Sequence, residues 1–165
     1  MATLYKYENS DLTYSNAEMI CHQVNCQGKM GSGVAKAIKE KFPTAYQMYM
    51  NMSDNRQQYL GATQFVRLPD MERNNWGDQY VVNMFAQDRY GYDGFRYTDY
   101  EAFYNCLEDI KGFIKEHSIV KSIAFPYRIG CDRGGANWNI ILTMIDEVFK
   151  DLDIKIEIHS LGKIK

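Results

Sequence analysis

One stretch limits this chain more than any other: Val24-Asn25-Cys26-Gln27-Gly28-Lys29-Met30-Gly31-Ser32-Gly33-Val34-Ala35, with three glycines in six residues. The run before it, 18–25, carries Met19, Ile20, Cys21 and Val24 and reads as a largely buried strand. After it, Val34, Ala35, Ile38 and Phe42 recur at helical spacing. Strand, glycine-rich loop and helix N-terminus therefore follow in order. Glycines let a backbone come close to a ligand, and helix N-terminal amides attract anions. The stretch predicts a phosphate-bearing small molecule held mainly by backbone. A Walker A loop is excluded, because Val34 and Ala35 stand where Lys and Ser/Thr are required. The spacing GxxGxG is not the dinucleotide GxGxxG either. A tight turn lined by glycine fits the composition of this loop equally well.

A second loop shifts that balance. Residues 120–125 read as a buried strand ending at Pro126, followed by Ile129-Gly130-Cys131-Asp132-Arg133-Gly134-Gly135 and then a helix marked by Ile140, Ile141, Met144, Ile145, Val148 and Phe149. Two glycine loops at two strand ends suit two phosphates or a diphosphate. Elsewhere, strands are predicted at 3–7, 63–68, 80–86 and through Ile154, Ile156 and Ile158. Pro43 stops the first helix and begins the next. Thr98-Asp99-Tyr100-Glu101 has the capping-box pattern ahead of Phe103, Leu107, Ile110 and Ile114. Residues 51–60 read as irregular. An aromatic loop spans 87–97, with Arg89 and Arg96 beside Tyr90, Tyr92, Phe95 and Tyr97. Strands alternating with helices predict an α/β domain with helices on both faces of a mixed sheet. Ligands then sit outside the carboxyl ends of the strands, where both glycine loops should meet.

The 165 residues suit one domain, 1–165, with its own core. A net charge of −2 and a pI near 5.9 give no global pull toward nucleic acid or anionic membrane. Cys21, Cys26, Cys106 and Cys131 form no CxxC pair, and no Cys/His set has zinc spacing, so neither metal nor cofactor is expected. Cys21 and His22 would point to opposite faces of a strand. Reduced thiols and the absence of a signal-peptide pattern or a membrane-length apolar run point to the cytoplasm.

With both loops in hand, the chain resembles the macro domains. The run His22 to Ala35 is similar to their ligand loop. Pro126-Tyr127-Arg128-Ile129-Gly130-Cys131, then Gly134-Gly135-Ala136-Asn137-Trp138, is similar to their diphosphate loop. The likeness extends from Asp11-Leu12-Thr13 to the last strand. It is nearest the branch of ADP-ribose-1″-phosphate phosphatases, terminal ADP-ribose-glutamate hydrolases and DNA-ADP-ribose-removing antitoxins. It implies a three-layer α/β/α sandwich with a mixed central sheet and a pocket for ADP-ribose. Asp11, with Leu12, matches the position that bonds the adenine amino group. Asn25 matches the contact to the distal ribose. Gly31, Ser32, Gly33 and Val34 match the segment around the distal ribose and phosphate. Ile129, Gly130, Cys131, Asp132, Arg133, Gly134, Gly135 and Ala136 match the segment over the diphosphate. His159 and Leu161 fall where the family often sets an aromatic against adenine.

For catalysis the likeness is less complete. The best-known hydrolase branch has an Asp where Ala35 stands. The glutamate- and DNA-linked hydrolases use a Lys where Gln87 or its neighbour aligns, and an amide is no nucleophile. The glutamate-linked hydrolases also use an Asp at the place of Gly134, two residues after Asp132. The phosphatase branch shares the His-x-x-Asn-Cys pattern of His22 to Cys26. Asn25, Asp132, Gln87 and His22 are therefore the catalytic candidates. Asn25 would position a water or the ribose, and Asp132 would act as base. On an unbroken strand His22 would face away from Asn25, which favours a hydrogen-bonded core role. Hydrolysis of ADP-ribose-1″-phosphate is the expected activity. Removal of ADP-ribose from a protein or nucleic acid, or non-catalytic binding of ADP-ribose or a related signalling nucleotide, are the alternatives. An ADP-ribosylated macromolecule is then a further partner. The acidic balance argues against direct nucleic-acid binding.

Overall fold

The structure, a computed structural model, describes residues 1–31, 33–52, 56–91 and 95–165, with only the backbone of Arg56. Ser32 and the tip of the aromatic loop, including Tyr92 and Gly94, lie outside the described residues. The strands are β1 (Thr3–Tyr7), β2 (Met19–Asn25), β3 (Thr63–Arg67), β4 (Tyr80–Gln87), β5 (Ser122–Pro126) and β6 (Lys155–His159). The helices are α1 (Gly33–Lys41), α2 (Pro43–Met50), α3 (Tyr100–Glu116) and α4 (Trp138–Phe149). Short 3-10 turns form at Leu12–Tyr14 and Arg56–Tyr59, the second within the stretch expected to be irregular.

The six strands lie in the order β1-β6-β5-β2-β4-β3. Every neighbouring pair is parallel except β3 with β4. Alternation along each strand sends side chains to two cores. Met19 and Cys21 of β2, Val82 and Met84 of β4, Ile123 and Phe125 of β5, and Ile156 and Ile158 of β6 pack with Phe103, Leu107, Ile110, Ile141 and Ile145 of α3 and α4. Ile20, Val24, Val81, Phe85 and Ala124 pack on the other face with Ile38, Phe42, Ala45 and Tyr49, from α1, α2 and the joint between them. The predicted three-layer sandwich is thus present, with helices on both faces of a mixed sheet.

Pro43 opens α2 as expected, where its missing N–H costs nothing. The capping box does not form. Asp99 caps α3 by accepting from the Ala102 N–H, while the Thr98 hydroxyl is drawn off to the Gly130 carbonyl. Parallel strands put the carboxyl ends of β1, β2, β4, β5 and β6 on one edge of the sheet. Chain connections diverge between β2 and β5, toward β4 on one side and β6 on the other, and a crevice opens at such a point.

Candidate functional site

The crevice is a cleft of two lobes, about 440 and 380 Å³, that share Gly33, Val34, Pro126, Tyr127, Arg128 and Asp132 as walls. Each lobe alone falls within the usual range for a small-molecule site. The two glycine loops meet here. Gly33 and Val34, at the start of α1, face Ile129, Gly130 and Gly134. The exposed amides of a helix start favour an anion, and Lys29, Arg128 and Arg133 add cationic side chains to the same walls. Arg128 holds a positive φ of 61°, a strained backbone for a residue with a Cβ, and pairs with Asp132 at 3.2 Å.

The first lobe lies at the ends of β1 and β6. Asp11 caps the turn Leu12–Tyr14, and its Oδ1 accepts from both the backbone N–H and the hydroxyl of Thr13, at 2.9 and 2.8 Å. Ser10, Leu12, Thr13, His159 and Leu161 complete this wall. His159 does not hang freely over the lobe. It stacks on Tyr7 with ring centroids 4.9 Å apart, and its two ring nitrogens meet Ser10 Oγ and Glu157 Oε1, each at 2.7 Å. Burial works against a charge on Glu157, but the bonds from His159 and Ser15 outweigh it and hold the carboxyl below its usual range.

The second lobe lies at the ends of β2 and β4. A register shift between Val24 and Asn25 breaks the strand alternation. Asn25 then ties up its own loop: Oδ1 accepts from the Gln27 and Lys29 backbone N–H groups, and Nδ2 donates to the Lys29 carbonyl. The Tyr49 hydroxyl lies 2.6 Å from the Asn25 carbonyl and 3.0 Å from Oδ1. Beside it, Thr98 donates to the Gly130 carbonyl at 2.8 Å, since a carbonyl can only accept. Thr98 therefore accepts from Gln23 Nε2, which also donates to Gln87 Oε1 at 2.6 Å. Gln87 donates in turn to the Arg89 carbonyl. This chain turns the Gln87 oxygen inward, so Gln87 is neither base nor nucleophile toward a ligand. Gly130 and Gly134 are required by the same packing. A Cβ on Gly130, at φ 75°, would meet Gln23 Oε1 at 2.8 Å, and one on Gly134 would lie 2.4 Å from the Gly130 carbonyl oxygen.

Of the residues predicted for the site, the cleft brings together Asp11, Leu12, Asn25, Gly33, Val34, Gln87, Ile129, Gly130, Asp132, Arg133, Gly134, His159 and Leu161. Five fall elsewhere. His22 is fully buried on the α2 face, where its Nε2 meets Asn83 Oδ1; burial lowers its pKa to about 4 and keeps it neutral. It cannot act on a ligand. Cys131 and Ala136 turn into the core against α3 and α4, and burial pushes the Cys131 thiol up to about 11. Gly135 packs on the backbone of Phe95 and Arg96. Gly31 is exposed but does not line either lobe. The sequence reading missed Gln23, Lys29, Tyr127, Arg128 and Ser10. The odd-even pattern of β2 could have found Gln23, a polar residue on the face of Met19 and Cys21. Among the described residues, no group of three or more His, Cys, Asp or Glu could hold a metal.

A cleft at the parting of a mixed sheet, walled by two glycine loops, defines a nucleotide-type ligand domain, and comparison with known proteins gives its family. The Macro domain family model matches residues 21–145. The chain belongs to the Macro domain family. It is 31% identical over 84 residues to an ADP-ribose 1″-phosphate phosphatase of Meyerozyma guilliermondii, covering 47% of this chain and 48% of that protein. The match therefore spans about half of the phosphatase's length. It is 24% identical to the human ADP-ribose glycohydrolase OARD1, over 93% of this chain and 94% of that protein. The macrodomain of Thermus aquaticus DarG superposes with a TM-score of 0.76 at 23% identity, covering 96% and 99% of the two chains.

Proposed function

We propose that the cleft binds ADP-ribose or a derivative along its length and hydrolyses the substituent at C1″ of the distal ribose, with ADP-ribose-1″-phosphate as the preferred substrate. The carrying observation is that the two lobes adjoin at a waist, where both are lined by Gly33 and Val34 at the α1 start and by Pro126, Tyr127, Arg128 and Asp132. A base in the Asp11 lobe and a ribose in the Asn25 lobe leave the diphosphate at that waist, against backbone amides and Arg128. The names of the yeast phosphatase and the human glycohydrolase support an ADP-ribose derivative and a hydrolase.

Asp132 is the one carboxylate among the described residues that line the second lobe. In this reading it accepts a proton from a water that attacks phosphorus. The P–O bond to C1″ breaks, the ribose oxygen takes up a proton, and ADP-ribose and inorganic phosphate leave. Lys29 and Arg133 stabilise charge on the transferred phosphoryl group. Gln87 and Asn25 offer N–H groups to the distal ribose and do no proton transfer. Phosphate release from ADP-ribose-1″-phosphate tests this. The expected result is turnover that falls by about 10²-fold or more in Asp132→Asn, the scale of a lost general base. Turnover equal to that of an Asn25→Ala, Asp132→Ala double variant would sink the catalytic reading and leave a binding module.

A further inference from the structure

Asn25, in the second lobe, has its hydrogen-bond directions fixed by the chemistry of its partners. Its Oδ1 accepts from the Gln27 and Lys29 backbone N–H groups, at 2.9 and 3.3 Å, and its Nδ2 donates to the Lys29 carbonyl at 2.9 Å. Backbone amides only donate and carbonyls only accept, so the two ends of the side-chain amide cannot be exchanged. The oxygen is taken up inside the loop. Among the described residues, the second N–H of Nδ2 has no partner, and Asn25 lines the lobe. These bonds make residues 25–29 one unit, but they do not set where that unit sits against the sheet. The Cys26 N–H and the Gln27 side chain tie it to Asp88, just beyond β4. Tyr49 supplies the tie from the core. It is fully buried on α2 beside Phe85, with ring centroids 5.7 Å apart. Its hydroxyl lies 2.6 Å from the Asn25 carbonyl oxygen and 3.0 Å from Oδ1. Both oxygens can only accept, so Tyr49 donates, and its one proton is directed at the main chain and side chain of the same residue. The contact falls at the register shift between Val24 and Asn25, where the ladder with β4 is locally disrupted.

We propose that Tyr49 is a positioning residue for the second lobe: its buried hydroxyl aims Asn25 so that the remaining Nδ2 N–H meets a hydroxyl of the ligand's distal ribose. The inference rests on the proposal that the distal ribose occupies this lobe. A buried hydroxyl costs stability unless it is bonded, so a Tyr where a Phe would fill the same core is explained by what it holds.

The test is calorimetric titration of the full chain with ADP-ribose and with AMP, for the unaltered protein, Tyr49→Phe, Asn25→Ala and the double variant. Tyr49→Phe keeps the ring and removes only the hydroxyl. It should weaken ADP-ribose binding by about three- to tenfold, the worth of one hydrogen bond. AMP has no distal ribose, and its affinity should not change. On the Asn25→Ala background the same substitution should weaken ADP-ribose no further, as expected of two residues that act as one. Thermal melting of each variant fixes a temperature at which it is folded. Where the Asn25→Ala variants do not fold, the ratio of ADP-ribose to AMP affinity in Tyr49→Phe decides. An unchanged ADP-ribose affinity, equal weakening of both ligands, or a loss that persists on Asn25→Ala overturns the role of Tyr49 while leaving the cleft reading intact. Failure of the unaltered protein to bind ADP-ribose overturns both.

Discussion

His22 and Thr98 show how far single residues depart from what their neighbours in sequence suggest. His22 sits in the His-x-x-Asn-Cys pattern, yet its ring is fully buried and bonded to Asn83. Its pKa is lowered from 6.5 to about 4, chiefly by burial. The unfolded chain then binds a proton that the folded one refuses. Stability from this group is present above pH 6.5 and is lost as the pH falls toward 4, by about 3 kcal/mol. Thermal melting across that window should show the loss, and His22→Gln should flatten that part of the slope. Thr98 looked like a helix cap. Its hydroxyl instead joins Gln23 to the Gly130 carbonyl, so Thr98→Val removes two hydrogen bonds, leaving Gln23 its bond to Gln87 and the Gly130 carbonyl its bond from the Ala136 N–H. A cost of about 1–3 kcal/mol in urea denaturation is expected, together with weaker ligand binding.

At the level of elements, the cap of α3 gives the contrasting case. Asp99→Ala removes the bond to the Ala102 N–H and should cost about 1 kcal/mol while leaving ligand affinity unchanged. The two variants, one residue apart, thus separate helix stability from site integrity. All six strands and four helices were legible in the sequence, most because Ile, Val and Phe recur at periods of two or near four, β1 through the alternation around Leu4 and α2 through Pro43 and the apolar Tyr46 and Met50. The strict run Ile154, Ile156, Ile158 even predicts that Glu157 and His159 share the opposite face. The 3-10 turn at Arg56–Tyr59 was not legible, since so short a turn carries no periodicity. The cap was misplaced by one residue because Thr and Asp both cap well and only tertiary contact decides between them. The site was legible through its glycines, whose need for positive φ or close approach is local. The face of Gln23 was readable from β2, but its bond to Gln87, 64 positions away, was not, and neither was that of Ser10 to His159, 149 positions away.

For the whole molecule, the arrangement follows from where the parallel strands end. Five carboxyl ends on one edge bring loops from distant parts of the chain to one cleft, and the parting of connections between β2 and β5 keeps it open. The waist depends on Gly134. A methyl group there would lie 2.4 Å from the Gly130 carbonyl oxygen, so Gly134→Ala must push the 126–134 loop aside. It should weaken ligand binding by about tenfold or more if the loop shifts by an ångström, a displacement large on the scale of a preorganised site. The central claim is that both lobes hold one extended ligand. Calorimetric titration of ADP-ribose, alone and with AMP present, addresses it most directly. The account predicts one saturable site that AMP competes for by filling the first lobe. No binding at millimolar ADP-ribose, or binding that AMP leaves untouched, would contradict it.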